Sequence, residues 1–197
     1  MARVVDKNQK KRDIALACKD MVLSNCIDTL TIAALAKAAN IGKGTFYEYF
    51  NSKEEIVFEI VTIMLHQHHH KLKEQIEKVQ ATREKIKVFS EFFYNKEDHE
   101  LRELYKKFTS ISLIKSTPEM QEFLTNTLLS YYNWFEAIIQ EGIYKGELRK
   151  ESVKLAKGVF VVGKGMFVIH NTTTAIQDLE YEFNLFINSL FDILEVQ

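Results

Sequence analysis

Thr31-Ile32-Ala33-Ala34-Leu35-Ala36-Lys37-Ala38-Ala39-Asn40-Ile41-Gly42-Lys43-Gly44-Thr45-Phe46-Tyr47-Glu48-Tyr49-Phe50-Asn51-Ser52-Lys53-Glu54-Glu55-Ile56 carries two short helical patterns with almost nothing between them. Thr31 suits an N-cap, and Ile32, Leu35, Ala36 and Ala39 follow at i, i+3, i+4 and i+7. Asn40 tolerates the left-handed backbone that a helix exit needs, and Ile41-Gly42 leaves a very short connection. The next helix runs from Lys43 to Phe50. Phe46 and Phe50 share the face that must pack inward, Gly44, Thr45 and Glu48 project the other way, and Tyr47 and Tyr49 flank them. Asn51-Ser52 is the next break, with Ser52 placed to cap a long helix whose first turn holds Glu54 and Glu55. Two short helices joined by so tight a turn form the helix-turn-helix unit, whose second helix lies in the DNA major groove.

Outward from this unit the periodicity stays helical. A first helix is expected over 8–24, and after the unit come helices over 54–79, 83–95, 98–115, 119–145, 152–171 and 178–195. The expected fold is all-α with about nine helices, divided into residues 1–53, a three-helix DNA-binding domain, and 54–197, an effector-binding and dimerisation domain. One proline, Pro118, and seven glycines in 197 residues are too few for the corners of a sandwich or barrel. No apolar run reaches about 18 residues, so no membrane span is expected, and Met1 to Lys7 lack the apolar segment of a secretory signal. Cys18 and Cys26, eight apart on what reads as one helix, would lie about 12 Å from each other. That is too far for a disulfide, and both are expected as reduced, buried thiols in a cytoplasm.

The net charge of −1 conceals an asymmetry. Residues 1–53 hold nine Lys and Arg against five acids, whereas the remainder is net acidic. A basic head meets a polyanion; an acidic body does not. On the exposed side of the 43–50 helix, Lys43 and the free backbone N–H groups can reach phosphate. Gly44 leaves room for close approach, and Thr45 can touch a thymine methyl or a base edge. The tyrosine hydroxyls suit phosphate, Lys53 can grip the next one, and Glu48 can accept from cytosine N4.

Over about 10–65 this sequence resembles the TetR family of transcriptional regulators, through the aromatic-Tyr-x-x-Phe run of Phe46 to Phe50 followed by Ser52-Lys53-Glu54. Gly142-Ile143-Tyr144-Lys145-Gly146-Glu147-Leu148 is similar to that family's exit from its seventh helix. The resemblance implies a homodimer that represses transcription from a palindromic double-stranded DNA operator and lets go when a small-molecule effector enters the C-terminal domain. It carries DNA contacts to Thr31, Lys43, Gly44, Thr45, Tyr47, Tyr49 and Lys53. Asn40 stands where glycine is usual, Gly42 where serine is, and Tyr49 where histidine is frequent.

Residues 83–135 are dense in aromatics, most simply a core. The resemblance favours an effector pocket with Phe92, Phe108, Tyr131, Trp134 and Phe167 as walls and His69 and Asn133 as polar contacts. No arginine lies within 104–148, which favours a neutral or cationic apolar effector. His66 and His70 have metal-competent spacing, but two ligands make a weak site, so neither a metal nor a cofactor is expected. Leu155, Val159, Val162, Met166 and Ile169, with Leu179, Phe183, Phe186 or Ile187, Leu190 and Leu194, suggest a dimer seam through 152–195. Glycines 158, 163 and 165 would permit close helix approach there. Tyr181, Leu185 and Ile193 widen the apolar surface of the last helix beyond what a single-sided helix needs. An enzyme is disfavoured, since the sequence holds no Gly-x-Ser-x-Gly elbow, no His-Glu-x-x-His and no phosphate-binding glycine loop. The competing reading is a helical ligand-binding or scaffolding protein without DNA binding. An acidic body argues against a membrane-surface role.

Overall fold

The computed structural model describes residues 6–196, so most of the stretch read for a secretory signal lies outside the described residues. Among these residues the chain forms ten α-helices: α1 (Lys7–Ala17), α2 (Lys19–Ser24), α3 (Ile32–Ala38), α4 (Lys43–Tyr47), α5 (Lys53–Glu77), α6 (Thr82–Ser90), α7 (His99–Ile114), α8 (Pro118–Tyr144), α9 (Ala156–Thr172) and α10 (Leu179–Leu194). Short 3₁₀ turns lie at Ile27–Thr29, Glu91–Phe93 and Lys150–Leu155. No described helix is long and apolar enough to cross a membrane.

The extra helix arises in the first segment. At Cys18 the backbone tightens, its N–H bonding to both Ile14 O at 3.3 Å and Ala15 O at 3.0 Å, and one expected helix becomes α1 and α2. α2 stops at Ser24, where Asn25 turns extended and its side-chain amide covers Met21 O at 2.9 Å. Cys26 therefore lies beyond the helix and is exposed, which corrects its reading as a buried thiol. Cys18 is buried, its Sγ donating to Leu35 O at 3.3 Å, and burial pushes its pKa up to about 11.

The packing forms two compact units. The first takes residues up to His69 together with His99–Gln121, so it holds α1 to α4, the first turns of α5, and α7. Its core is Ile14, Cys18, Val22, Leu35, Phe46, Phe50, Ile56, Val57, Ile60, Leu104 and Phe108, all buried. The second takes His70–Asp98 and Glu122–Gln197. There α10 turns Leu179, Phe183, Ile187, Phe191 and Leu194 inward. Gly163 on α9 sits so close that an added Cβ would meet the Phe183 ring at 3.2 Å. Arg83 fastens the chain end, donating to Glu195 and Asp192 and lying over the Phe191 ring.

Two helix exits follow one design. Asn40 has φ 53°, Ile41 N donates to Ala36 O at 2.9 Å and Asn40 N to Lys37 O at 3.0 Å. That is the Schellman pair of bonds, which requires a left-handed residue. Gly146 does the same after α8, with φ 76°, Glu147 N to Gly142 O at 2.9 Å and Gly146 N to Ile143 O at 3.1 Å. Asn40→Ala should therefore cost about 1–2 kcal/mol, because a Cβ without the amide gains nothing in this region. Asn40→Gly should match or exceed the wild type in thermal unfolding.

Candidate nucleic-acid interface and effector region

The turn between α3 and α4 is held from several directions. Thr31 Oγ1 accepts from Ala34 N at 3.1 Å, capping α3. Ser52 Oγ accepts from Glu55 N at 3.3 Å, while the Glu55 carboxylate accepts from the backbone and side-chain nitrogens of Asn51, both at 2.9 Å. This reciprocal capping sets the start of α5 against the end of α4. Phe46 and Phe50 are fully buried, with ring centroids 5.5 Å apart, and Lys11 lies over the Phe50 ring at 5.3 Å.

α4 is shorter than the expected 43–50. It ends at Tyr47, and the chain continues as a hydrogen-bonded turn in which Phe50 N donates to Phe46 O at 3.0 Å. The turn keeps Phe50 beneath Phe46 and leaves the outer side as read from the sequence. Lys43, Gly44, Tyr47 and Glu48 are exposed, and Thr45 and Tyr49 are half-buried. An added Cβ at Gly44 would meet nothing within 4 Å. Thr31 is exposed. Lys53 is differently occupied: Nζ donates to Asp28 O at 2.9 Å and Leu30 O at 3.0 Å, which leaves one of its three N–H donors for a phosphate.

The residues expected to line one pocket are divided between the two units. In the second unit, Phe89 is the hub, a residue the sequence did not single out as a wall. Its ring centroid is 6.1 Å from Tyr131, 5.5 Å from Trp134, 5.6 Å from Phe135 and 6.3 Å from Phe160. Phe93 joins Phe92 at 5.3 Å and Phe167 at 5.6 Å, and stacks on Phe183 at 5.2 Å. Burial pushes the Tyr131 phenol far above its ordinary pKa, and the charge of Asp98 adds to this. Asn133, about 200° around α8 from Tyr131, is exposed and does not share this face. Phe108 and His69 fall in the first unit, where Phe108 packs on Phe58 at 5.6 Å. The histidine that is buried is His68, and Arg102 on α7 is buried as well. Neither was singled out: His68 sits within the polar run His66–His70, where the sequence does not mark which histidine turns inward, and one arginine on α7 gives no periodic signal. The arginine-poor stretch that argued against an anionic effector begins two residues after Arg102. Among the described residues, no group of three or more His, Cys, Asp and Glu could hold a metal ion.

A family model described as bacterial regulatory proteins, tetR family, matches residues 26–60. A second, described as YsiA-like protein, C-terminal region, matches residues 51–196. The chain belongs to the TetR family of transcriptional regulators. It is 26% identical over 191 residues to the fatty acid metabolism regulator protein of Bacillus subtilis (strain 168), covering 95% of each chain. Among solved structures it resembles a transcriptional regulator from Saccharomonospora viridis in complex with choline, with TM-score 0.78, 13% identity and coverage of 96% of this chain and 99% of that one. It also resembles the fatty acid degradation regulator FadR from Bacillus halodurans, with TM-score 0.64, 21% identity and 93% of each chain covered. In this TetR-family chain the glycine that usually ends the first helix of the pair is replaced by Asn40, which adopts the same left-handed geometry.

The apolar surface of α9 and α10 also differs in detail from the sequence reading. Leu179, Phe183, Ile187 and Leu194, expected in a dimer seam, are the chain's own core. The face left open on α10 holds Tyr181, Leu185 and Ile193. On α9 it holds Val161, Val162, Val168 and Ile169, with Gly158 and Gly165 facing open space.

Proposed function

We propose that the protein is a one-component, effector-released repressor that binds a palindromic operator as a homodimer in the cytoplasm. The observation that carries this is the outer side of α4 and the turn after it, with Lys43, Gly44, Tyr47 and Glu48 exposed over a fully buried Phe46–Phe50 pair in a TetR-family head. Lys43 and the tyrosines serve phosphates, Thr31 adds a hydroxyl at the start of α3, and Lys53 offers its third donor. Thr45 and Glu48 read base edges across the gap left by Gly44. Pairing through the open faces of α9 and α10 presents two heads about 34–36 Å apart, one to each half-site.

The effector enters the C-terminal body and shifts the equilibrium toward a head spacing that no longer fits, through movement of α5. The aromatic group around Phe89 suits an apolar ligand, and the relative named for fatty acid metabolism supports a ligand with an acyl chain. The experiment is a gel shift on the DNA upstream of the chain's own coding region, with oleic acid, its coenzyme A thioester and choline added in separate arms. Retarded DNA that an acyl arm releases and choline leaves bound is the expected result. DNA that is never retarded, or binding unchanged by Lys43→Ala combined with Tyr47→Ala, would overturn the groove assignment.

A further inference from the structure

In the first unit, α7 grips α2 at both ends. Where α2 begins, Lys19 Nζ donates to Glu100 Oε2 at 2.7 Å. Seven residues further along α7, Lys107 Nζ donates to three backbone carbonyls where α2 ends: Val22 O at 2.7 Å, Leu23 O at 2.8 Å and Asn25 O at 2.6 Å. An ammonium has three donors, and each of these meets one acceptor. Val22 O and Leu23 O are carbonyls that the end of α2 leaves unpaired, at the negative end of the helix dipole, and Asn25 O belongs to the extended residue that follows. Glu100, Leu104 and Lys107 lie on one face of α7 by their i, i+4, i+7 spacing, and Leu104 is fully buried. The seven-residue step spans about 10.5 Å, close to the roughly 9 Å length of α2, so the two fastenings match the element they hold. The chain from Val22 to Leu30, which leads into α3, is thus pinned by two ammonium groups, that of Lys107 and that of Lys53 at the start of α5.

We infer that Lys107 is a positioning residue for DNA binding: it makes α2, and with it the α3–α4 pair, travel with α7, so that occupancy of the DNA face and the setting of α7 are one equilibrium. This rests on the regulator reading above and adds to α5 a second route into the head. With its three donors engaged within the chain, Lys107 serves no phosphate. By reciprocity, DNA bound at α4 is felt at α7.

The test uses the full-length protein and a duplex recovered from it by in vitro selection. In the wild type, that duplex slows amide hydrogen exchange over residues 101–111 of α7. Lys107→Met keeps the stem and removes the donors. It weakens binding of the duplex about ten-fold, within the usual range of couplings between sites, and abolishes the slowing in α7. The salt dependence of binding keeps its slope, whereas a lost phosphate contact lowers that slope by about one. Lys107→Arg, which keeps charge and donors, restores most of the affinity. Unchanged exchange in wild-type α7, a Met variant that binds like the wild type, a reduced salt slope, or equal weakness of the Arg and Met variants would each overturn the inference. If the Met variant loses its helical circular dichroism, the wild-type exchange pattern and the Arg variant decide. Failure to select any duplex defeats the regulator reading itself, an outcome distinct from all of these.

Discussion

Gly44→Leu folds as well as the wild type and loses operator binding by at least about 100-fold, a change of roughly 2.7 kcal/mol. The two effects separate because, beyond the adjoining residues and backbone of α4 itself, nothing lies within 4 Å of the position a Cβ would take. A helical glycine replaced by a good helix former raises stability by up to about 1 kcal/mol. The same four carbons stand on the outer side of α4, between Lys43 and Thr45, where the groove floor must come close. Thermal unfolding and fluorescence anisotropy on one preparation of each protein check both halves. A variant that keeps full affinity would show that this side of α4 does not face DNA. A variant that unfolds would show that position 44 is not the open site described.

Val168→Asp combined with Leu185→Asp converts a dimer to a monomer in sedimentation equilibrium and lowers operator affinity by about 10²–10⁴, the usual worth of a second linked contact. Both residues are exposed in the single chain, so the carboxylates cost little to folding. In a paired molecule each would be buried without a counter-charge, which is far costlier than the lost apolar contact. Circular dichroism should be unchanged. A double variant that stays dimeric would move the seam away from α9 and α10, and a wild-type protein that sediments as a monomer would remove the two-headed reading altogether.

Much of the head was legible because its signals are local. The Thr31 cap, the 3.6-residue period, the left-handed Asn40 and the Ser52–Glu55 capping pair each depend on residues a few positions apart. So does the outward placing of Lys43, Gly44, Tyr47 and Glu48, since Phe46 and Phe50 must point inward. The tightening at Cys18 was not legible, because one residue whose N–H serves two carbonyls leaves the apolar period intact. The stop at Ser24 agrees with the expected 8–24 helix; only Cys26, counted on that helix, falls beyond it.

The effector region resisted sequence reading for a different reason. Helical period sets Asn133 about 200° from Tyr131 on α8, but the expected pocket held both, and only the packing of Phe89 on Tyr131 and Trp134 shows which side faces inward. Two apolar stripes on α10 looked alike in sequence. Contacts with α6 and α9 buried Phe183 and Ile187 and left Leu185 and Ile193 outside.

By itself, then, the order of residues determined the helices, their caps and the outward side of α4, since these follow from steric and hydrogen-bonding rules acting within one or two turns. Only the tertiary structure decided that Phe108 and Tyr131 belong to different units, that Lys53 is tied to the carbonyls of Asp28 and Leu30, and that Lys107 reaches back 82 residues or more to close the end of α2. Those are pairings of distant segments, and a long side chain with three donors can find partners anywhere the fold brings carbonyls near.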